Sequence, residues 1–368
     1  MTERPMRSGE RLHALDAFRG AAALWVVVYH VTLRYPHFML GQNTPLTPLF
    51  PGFTERDAGI VPVLWFFLIS GFVITWTVAR CATPMDFVIS RVSRIYPAYW
   101  ASLVLTVAAV ALFPLPGVAP SLRDILVNAT MFQTYVFVPH VAGVYWSLCI
   151  EIMFYVFALA LFAAGLWRFV HVAAFAWAVL ALGVTVWTGL GQWFPWRVTV
   201  FLLTGFAPYL VAGMMLYQLW RGNRVGWSVA TLAVCVVAIF ASAPVVSAVM
   251  VVAAMGLIAW SCRGGLQWLA APPLVWLGSV SYSLYLVHEY PAYITMRAGD
   301  AAGLPHWISQ AAAVGVALGL AAAVSYGVER PAMRAIRDLW RGRVFRPAPG
   351  AGADAAPPAG PAAPGSPG

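Results

Sequence analysis

Of 368 residues, 61% are hydrophobic and 10% charged, against roughly 25% charged in an average soluble domain, which excludes a water-soluble globule. A formal charge of +9 at pH 7 would point to nucleic acid in a soluble protein, but all 22 basic residues are arginine and most stand at the ends of apolar blocks. Charge placed that way sets topology, so no nucleic-acid partner is expected.

The apolar blocks have the length of bilayer-crossing helices. In chain order they predict spans near 17–35, 60–79, 96–114, 143–165, 172–190, 199–219, 226–242, 246–261, 274–296 and 306–328. The seventh and eighth are short and joined by Ser242-Ala243-Pro244, so eight and ten helices both fit. The expected fold is all-α, a polytopic transmembrane helical bundle of about 10 helices. With a cytoplasmic N-terminus, seventeen arginines fall inside and five outside (Arg34, Arg56, Arg123, Arg197 and Arg297). The positive-inside rule then places both termini in the cytoplasm.

The resulting division is a cytoplasmic segment 1–14, a transmembrane domain 15–340 and a Pro/Ala/Gly-rich tail 341–368 with too little apolar content to order itself. The first block has no small-residue cleavage site behind it and is expected to be retained. Cys81, Cys149, Cys235 and Cys262 lie far apart with no metal-ligand spacing, so free thiols and no metal are expected. The outer loops 36–59 and 115–142 carry Tyr35, Phe38, Phe50, Phe53, Phe132 and Tyr135, which suit either interface belts or the walls of an outward site.

Ionisable groups at membrane depth are costly unless paired or wetted, and count as candidate functional groups. His30 lies eleven residues after Arg19 in the first span, 20° past three full turns, so the two share a face about 16 Å apart along the axis. Asp16 is on the same stripe. Ser147, Glu151 and Tyr155 repeat every four residues on the fourth span, and Ser281, Tyr285 and His288 share a face of the ninth. Ser70 of the second span is near the midplane, followed by Gly71, which permits close helix contact. His30, Ser70, Glu151 and His288 thus reach similar depth. Arg91 and Arg94 stand one turn apart at the inner surface, as topology anchors or as ligands for phosphate. Glu289 leads toward the outer rim, and Glu329-Arg330-Pro331 is expected to close the last span with a local ion pair and a helix stop.

Over about residues 10 to 340 these motifs resemble the acyltransferase-3 family of integral membrane O-acyltransferases. Leu15-Asp16-Ala17-Phe18-Arg19-Gly20 with His30 is similar to its basic-x10-His signature, and Phe66 to Phe72 to its Phe-Phe-x-x-Ser-Gly-Phe segment. Arg91 and Arg94-Ile95-Tyr96-Pro97 resemble its basic inner loop, and Trp146 to Tyr155 its Trp-Ser-Leu-x-x-Glu-x-x-Phe-Tyr helix. Ser281 to His288 and Val328-Glu329-Arg330-Pro331 resemble its two C-terminal signatures. Two positions depart from many relatives: Ser90 stands where a second basic residue is common, and Ile152 where a second acid is.

The resemblance implies transfer of an acyl group, commonly acetyl, from cytoplasmic acyl-CoA to a hydroxyl of a saccharide, surface glycan or glycosylated natural product, in the plasma membrane of a bacterium. Arg19, Arg91 and Arg94 would hold the donor's phosphates. His30 would act as general base with Glu151 orienting it or assisting, and Ser70, His288 or Tyr285 would serve the oxyanion. Direct transfer and a covalent acyl-His or acyl-Ser70 intermediate remain equally compatible with the residues. Buried titratable groups also mark ion pathways, so a proton-coupled transporter or flippase of a glycan substrate is the alternative.

Overall fold

The computed structural model describes residues 13–41 and 53–344, and among these every regular element is helical. The first helix, α1 (His13–Tyr29), opens into a π-helical stretch at His30–Arg34 and ends as α2 (Tyr35–Leu40). There follow α3 (Glu55–Val78), α4 (Pro84–Leu112), α5 (Leu122–Asn128), α6 (Trp146–Ala163), α7 (Val170–Gly189), α8 (Trp196–Phe201) and α9 (Ala207–Arg221). Then come α10 (Val225–Ser242), α11 (Val245–Cys262), α12 (Pro272–Val287), α13 (Glu289–Ala301), α14 (His306–Val324), a second π stretch at Ser325–Glu329, and α15 (Arg330–Val344). Phe50 and most of the predicted tail lie outside the described residues.

Eight helical stretches are long and apolar enough to cross a membrane. The spans expected near 199–219 and 274–296 are each built from two shorter helices, α8 with α9 and α12 with α13. Val104, Leu112, Val229 and Val237 are exposed along helix flanks. Such residues are tolerated where hydrocarbon is the solvent. Trp193 and Trp268, exposed in the connections before α8 and α12, and Trp307, exposed at the start of α14, suit the membrane–water interface.

Local chemistry sets where the helices start. Thr54, Thr83 and Ser121 each accept a hydrogen bond from the backbone N–H of an aspartate three residues on, and that aspartate accepts from the cap's own N–H. These reciprocal capping boxes satisfy two orphan donors at each N-terminus.

Two glycine contacts set the packing. A Cβ on Gly20 would meet the backbone of Gly278, and one on Gly278 would fall on the carbonyl of Asp16, so α1 and α12 touch backbone to backbone. His30 and His288 each lie ten residues beyond that contact, and they also meet. Both helices therefore run the same way, and equal rise keeps the two imidazoles level. Gly71 and Gly213 do the same for α3 and α9, each lying against a carbonyl of the other helix, Leu210 and Leu68 respectively. Small residues at these crossings bring the helices close enough to carry their polar groups to one centre.

The helix stop expected at Glu329-Arg330-Pro331 is not formed. The chain passes through the π stretch and continues as α15 to Val344. Pro331 falls in the first turn of α15, where a missing N–H breaks no hydrogen bond of the new helix.

Candidate functional site

Among the described residues, two of the cavities are lined by the groups singled out above. The larger, about 930 Å³, is lined at its mouth by Arg19, Arg91, Arg94, Arg330, Arg334 and Arg337, and at its apex by Ser70, Glu151, Ser281 and Tyr285. The smaller, about 480 Å³, is lined by His30, Tyr29, Arg34, Glu55, Trp146 and Glu289. Val63 and Tyr285 line both. They form the wall between the arginine-rich cavity and the histidine cavity.

At the apex, Ser147, Glu151 and Tyr155 all face the larger cavity, as their four-residue spacing predicts. Glu151 Oε1 accepts a hydrogen bond from Ser70 Oγ at 3.0 Å and another, shorter one from Tyr155 Oη. Tyr285 Oη lies 3.0 Å from the Val144 carbonyl and 2.6 Å from Ser147 Oγ. Tyr285 Oη thus has the Val144 carbonyl as an acceptor, and Ser147 Oγ, itself 3.3 Å from that carbonyl, as a second partner that can give or take the proton.

His30 is the first residue of the π stretch and His288 is the break between α12 and α13. π segments and helix breaks recur at functional positions because they release backbone groups and re-aim side chains. His288 Nδ1 lies 3.1 Å from the Leu284 carbonyl and 2.9 Å from that of Tyr285, so it carries the proton and leaves Nε2 as an acceptor. His30 Nδ1 lies 2.8 Å from the Val26 carbonyl and 3.3 Å from His288 Nε2. It too must be the protonated nitrogen, donating to both. The lone pair of His30 is thereby fixed on Nε2, on a ring that lines the histidine cavity.

The structure pairs His30 with His288, and Glu151 with Ser70 and Tyr155. Arg19 and His30, though on one helix, line different cavities, because Val63 and Tyr285 come between them. Of the inner arginines, Arg94 forms an ion pair with Glu329, whose other oxygen accepts from Ser283 Oγ at 2.6 Å. Glu329 is therefore engaged with Arg94 rather than in the local pair expected with Arg330, whose guanidinium reaches Ser279 at 2.9 Å. Arg91 donates to Ser90 Oγ at 3.1 Å, so the serine at the departing position is an acceptor for its neighbour.

Glu289, expected toward the outer rim, is buried. Its carboxylate accepts the Val144 N–H at 3.1 Å and so holds the start of the helix that carries Ser147 and Glu151. Its position directly after His288 was the one available signal. Arg330, Arg334 and Arg337 are among the seventeen inner arginines, and nothing in the sequence beyond their four- and three-residue spacing marks their part in the cavity mouth. Among the described residues no group of three or more His, Cys, Asp or Glu is placed to hold a metal, and the four cysteines are free thiols.

Apolar flanks, interfacial tryptophans and polar cavities within the helices define an integral membrane protein. Residues 12–328 match the acyltransferase-3 family, described as an acyltransferase domain. The chain belongs to that family and is an acyltransferase, which decides for an enzyme over a transporter built on the same buried groups. It is similar to the exopolysaccharide production protein ExoZ of Rhizobium meliloti (strain 1021), with 30% identity over 320 residues that cover 79% of this chain and 93% of the relative. No solved structure matches.

Proposed function

We propose that this acyltransferase moves an acyl group, acetyl in the first instance, from acyl-CoA in the arginine-rich cavity to a hydroxyl of a saccharide or glycosylated acceptor in the histidine cavity. The arginine bias of that end makes it cytoplasmic, with both termini on the same side, in a bacterial plasma membrane. A saccharide acceptor accords with the ExoZ relative, whose name links it to exopolysaccharide.

The observation that carries this is the lone pair of His30 Nε2, held in the cavity opposite the arginines by two hydrogen bonds at Nδ1. The acceptor hydroxyl gives its proton to Nε2 as its oxygen bonds to the thioester carbonyl carbon. The charged imidazole is stabilised by Val26 O and His288 Nε2. The C–S bond breaks, the leaving thiolate takes up a proton from water in the arginine-rich cavity, and the imidazolium of His30 gives its proton to water in its own cavity. Tyr285, on the wall between the cavities, turns its O–H from Val144 toward the carbonyl oxygen as negative charge develops there. Ser70 and Glu151 shape the apex against which the thioester rests. Transfer in one step requires the acceptor hydroxyl and the thioester carbonyl to meet where Val63 and Tyr285 separate the two cavities.

The test uses purified protein in vesicles, labelled acetyl-CoA and a glycan extract from the source membrane. His30→Gln should lower acetyl incorporation by about 10²–10⁴-fold, the usual contribution of a positioned base. Wild-type incorporation by that variant would remove the base from the scheme and the function with it.

A further inference from the structure

Away from both cavities, a space of about 580 Å³ opens where the end of α3, the start of α7 and the end of α9 meet. Arg168, Arg221 and Arg224 line it with His171, Gln218 and Asn223, and no carboxylate is among its lining residues. Arg168 and Arg224 are exposed. Arg224 is the N-cap of α10 with φ 47° and ψ 42°, a left-handed conformation that glycine adopts without steric cost and other residues seldom do. A guanidinium is thus kept at a position the backbone disfavours, and such positions gather where function holds them.

Beside it runs an apolar groove of about 420 Å³ between α6 and α7, lined by Phe154, Phe157, Leu161, Ala174, Trp177 and, from α9, Met214 among others. Trp177 Nε1 donates to the Leu202 carbonyl at 2.8 Å, which leaves that wall apolar. Trp167 and Val170 line both spaces, so the groove adjoins the arginine cavity at the start of α7. Val170 to Trp177, Leu161 to Phe154 and Arg221 to Met214 are each seven residues, about 10 Å along a helix. The groove therefore descends from the arginines through roughly two thirds of one leaflet, whose hydrocarbon is about 15 Å deep.

We propose that the two spaces together hold one anionic phospholipid from the leaflet at the arginine-rich end, its phosphate on Arg168, Arg221 and Arg224 and one acyl chain in the groove between α6 and α7. Arginine's planar fork grips phosphate in a bidentate way, and basic clusters at this surface attract anionic lipid. A zwitterionic headgroup would bring a cation that finds no acid among the lining residues. A soluble phosphate would use the arginines and leave the groove unfilled. Met214, on the floor of the groove, follows Gly213, the residue that lets α9 lie against the backbone of α3. The bound chain braces that crossing.

The experiment titrates the full chain in detergent with dioleoyl phosphatidylglycerol or dioleoyl phosphatidylcholine, reading bound lipid by native mass spectrometry and the unfolding midpoint on heating. Wild type should bind one phosphatidylglycerol about tenfold or more tighter than phosphatidylcholine, and that lipid should raise the midpoint. Arg168→Ala/Arg224→Ala should remove the preference, a loss of about tenfold or more for two surface charges near phosphate, and Arg168→Lys/Arg224→Lys should recover part of it. Ala160→Phe/Ala173→Phe fills the groove and should weaken phosphatidylglycerol with the arginines intact. Ala160 is exposed and Ala173 half-buried, so both pairs of substitutions spare the core, and each variant should match the wild-type midpoint in phosphatidylcholine. Equal affinity for the two lipids, or unchanged phosphatidylglycerol binding in the alanine variant, would overturn the site. Displacement of the lipid by glycerol phosphate, with no effect of filling the groove, would assign the arginines to a soluble anion. Displacement by acetyl-CoA would assign them to a nucleotide, and either result would end the lipid proposal.

Discussion

His30 owes its proposed role to two acceptors it did not choose. Val26 O is supplied by its own helix and His288 Nε2 by another, and together they hold the proton on Nδ1. An asparagine or glutamine at 288 would offer a donor as well as an acceptor and weaken that tautomeric constraint. Tyr285 is the complementary residue, since its hydroxyl is the polar group on the dividing wall. Tyr285→Phe should lower acyl transfer by about 10²-fold, the lower end for loss of one oxyanion donor, with acetyl-CoA affinity unchanged. Equal loss of affinity would make Tyr285 part of donor binding instead. Arg94 and Glu329 are a different case, a partly buried ion pair completed by Ser283. Glu329→Gln leaves the guanidinium beside a neutral amide and should cost about 3 kcal/mol in a reversible unfolding measurement. Pairing it with Arg94→Met should recover part of that loss.

Helices are placed here by what their glycines lack. At Gly71 an added Cβ would strike a backbone carbonyl of α9, which cannot swing aside as a side chain can. Gly71→Leu should therefore separate α3 from α9, destabilising the bundle by about 1–3 kcal/mol or more. It should also lower activity by moving Ser70 away from Glu151. Thermal unfolding in detergent together with an acyl-transfer assay would show both, and a stable, fully active variant would contradict the packing described. The same geometry explains why His30 and His288 meet although 258 residues separate them. The Gly20–Gly278 crossing fixes a common origin from which each helix climbs ten residues.

At the scale of the molecule, the two cavities open on opposite ends, with arginines at one and His30 at the other. Single cysteines in a background lacking the four native ones give a direct test. Arg334→Cys should react with an impermeant maleimide from the cytoplasmic side, and Glu55→Cys from the outside. Labelling of both from one side would refute the proposed orientation.

What the sequence determined by itself was the solvent and the cast of residues. Low charge and long apolar blocks leave lipid as the only environment, and four-residue spacing put Ser147, Glu151 and Tyr155 on one face, because both follow from chain-local geometry. The depth of His30 and His288 followed in the same way from rise per residue. Partnership was decided by tertiary structure. Two residues at the same height are neighbours only if their helices are adjacent and correctly rotated, and neither is a local property. Thus helix-face and depth arithmetic places His30 with Arg19 and Glu151, but the packing gives it His288 and walls the other two into a separate cavity. The course of α15 was hidden for a similar reason. Glu329 followed by Arg330 and Pro331 looks like a stop by local rules, yet a π turn absorbs the proline and the carboxylate finds its cation 235 residues away on α4.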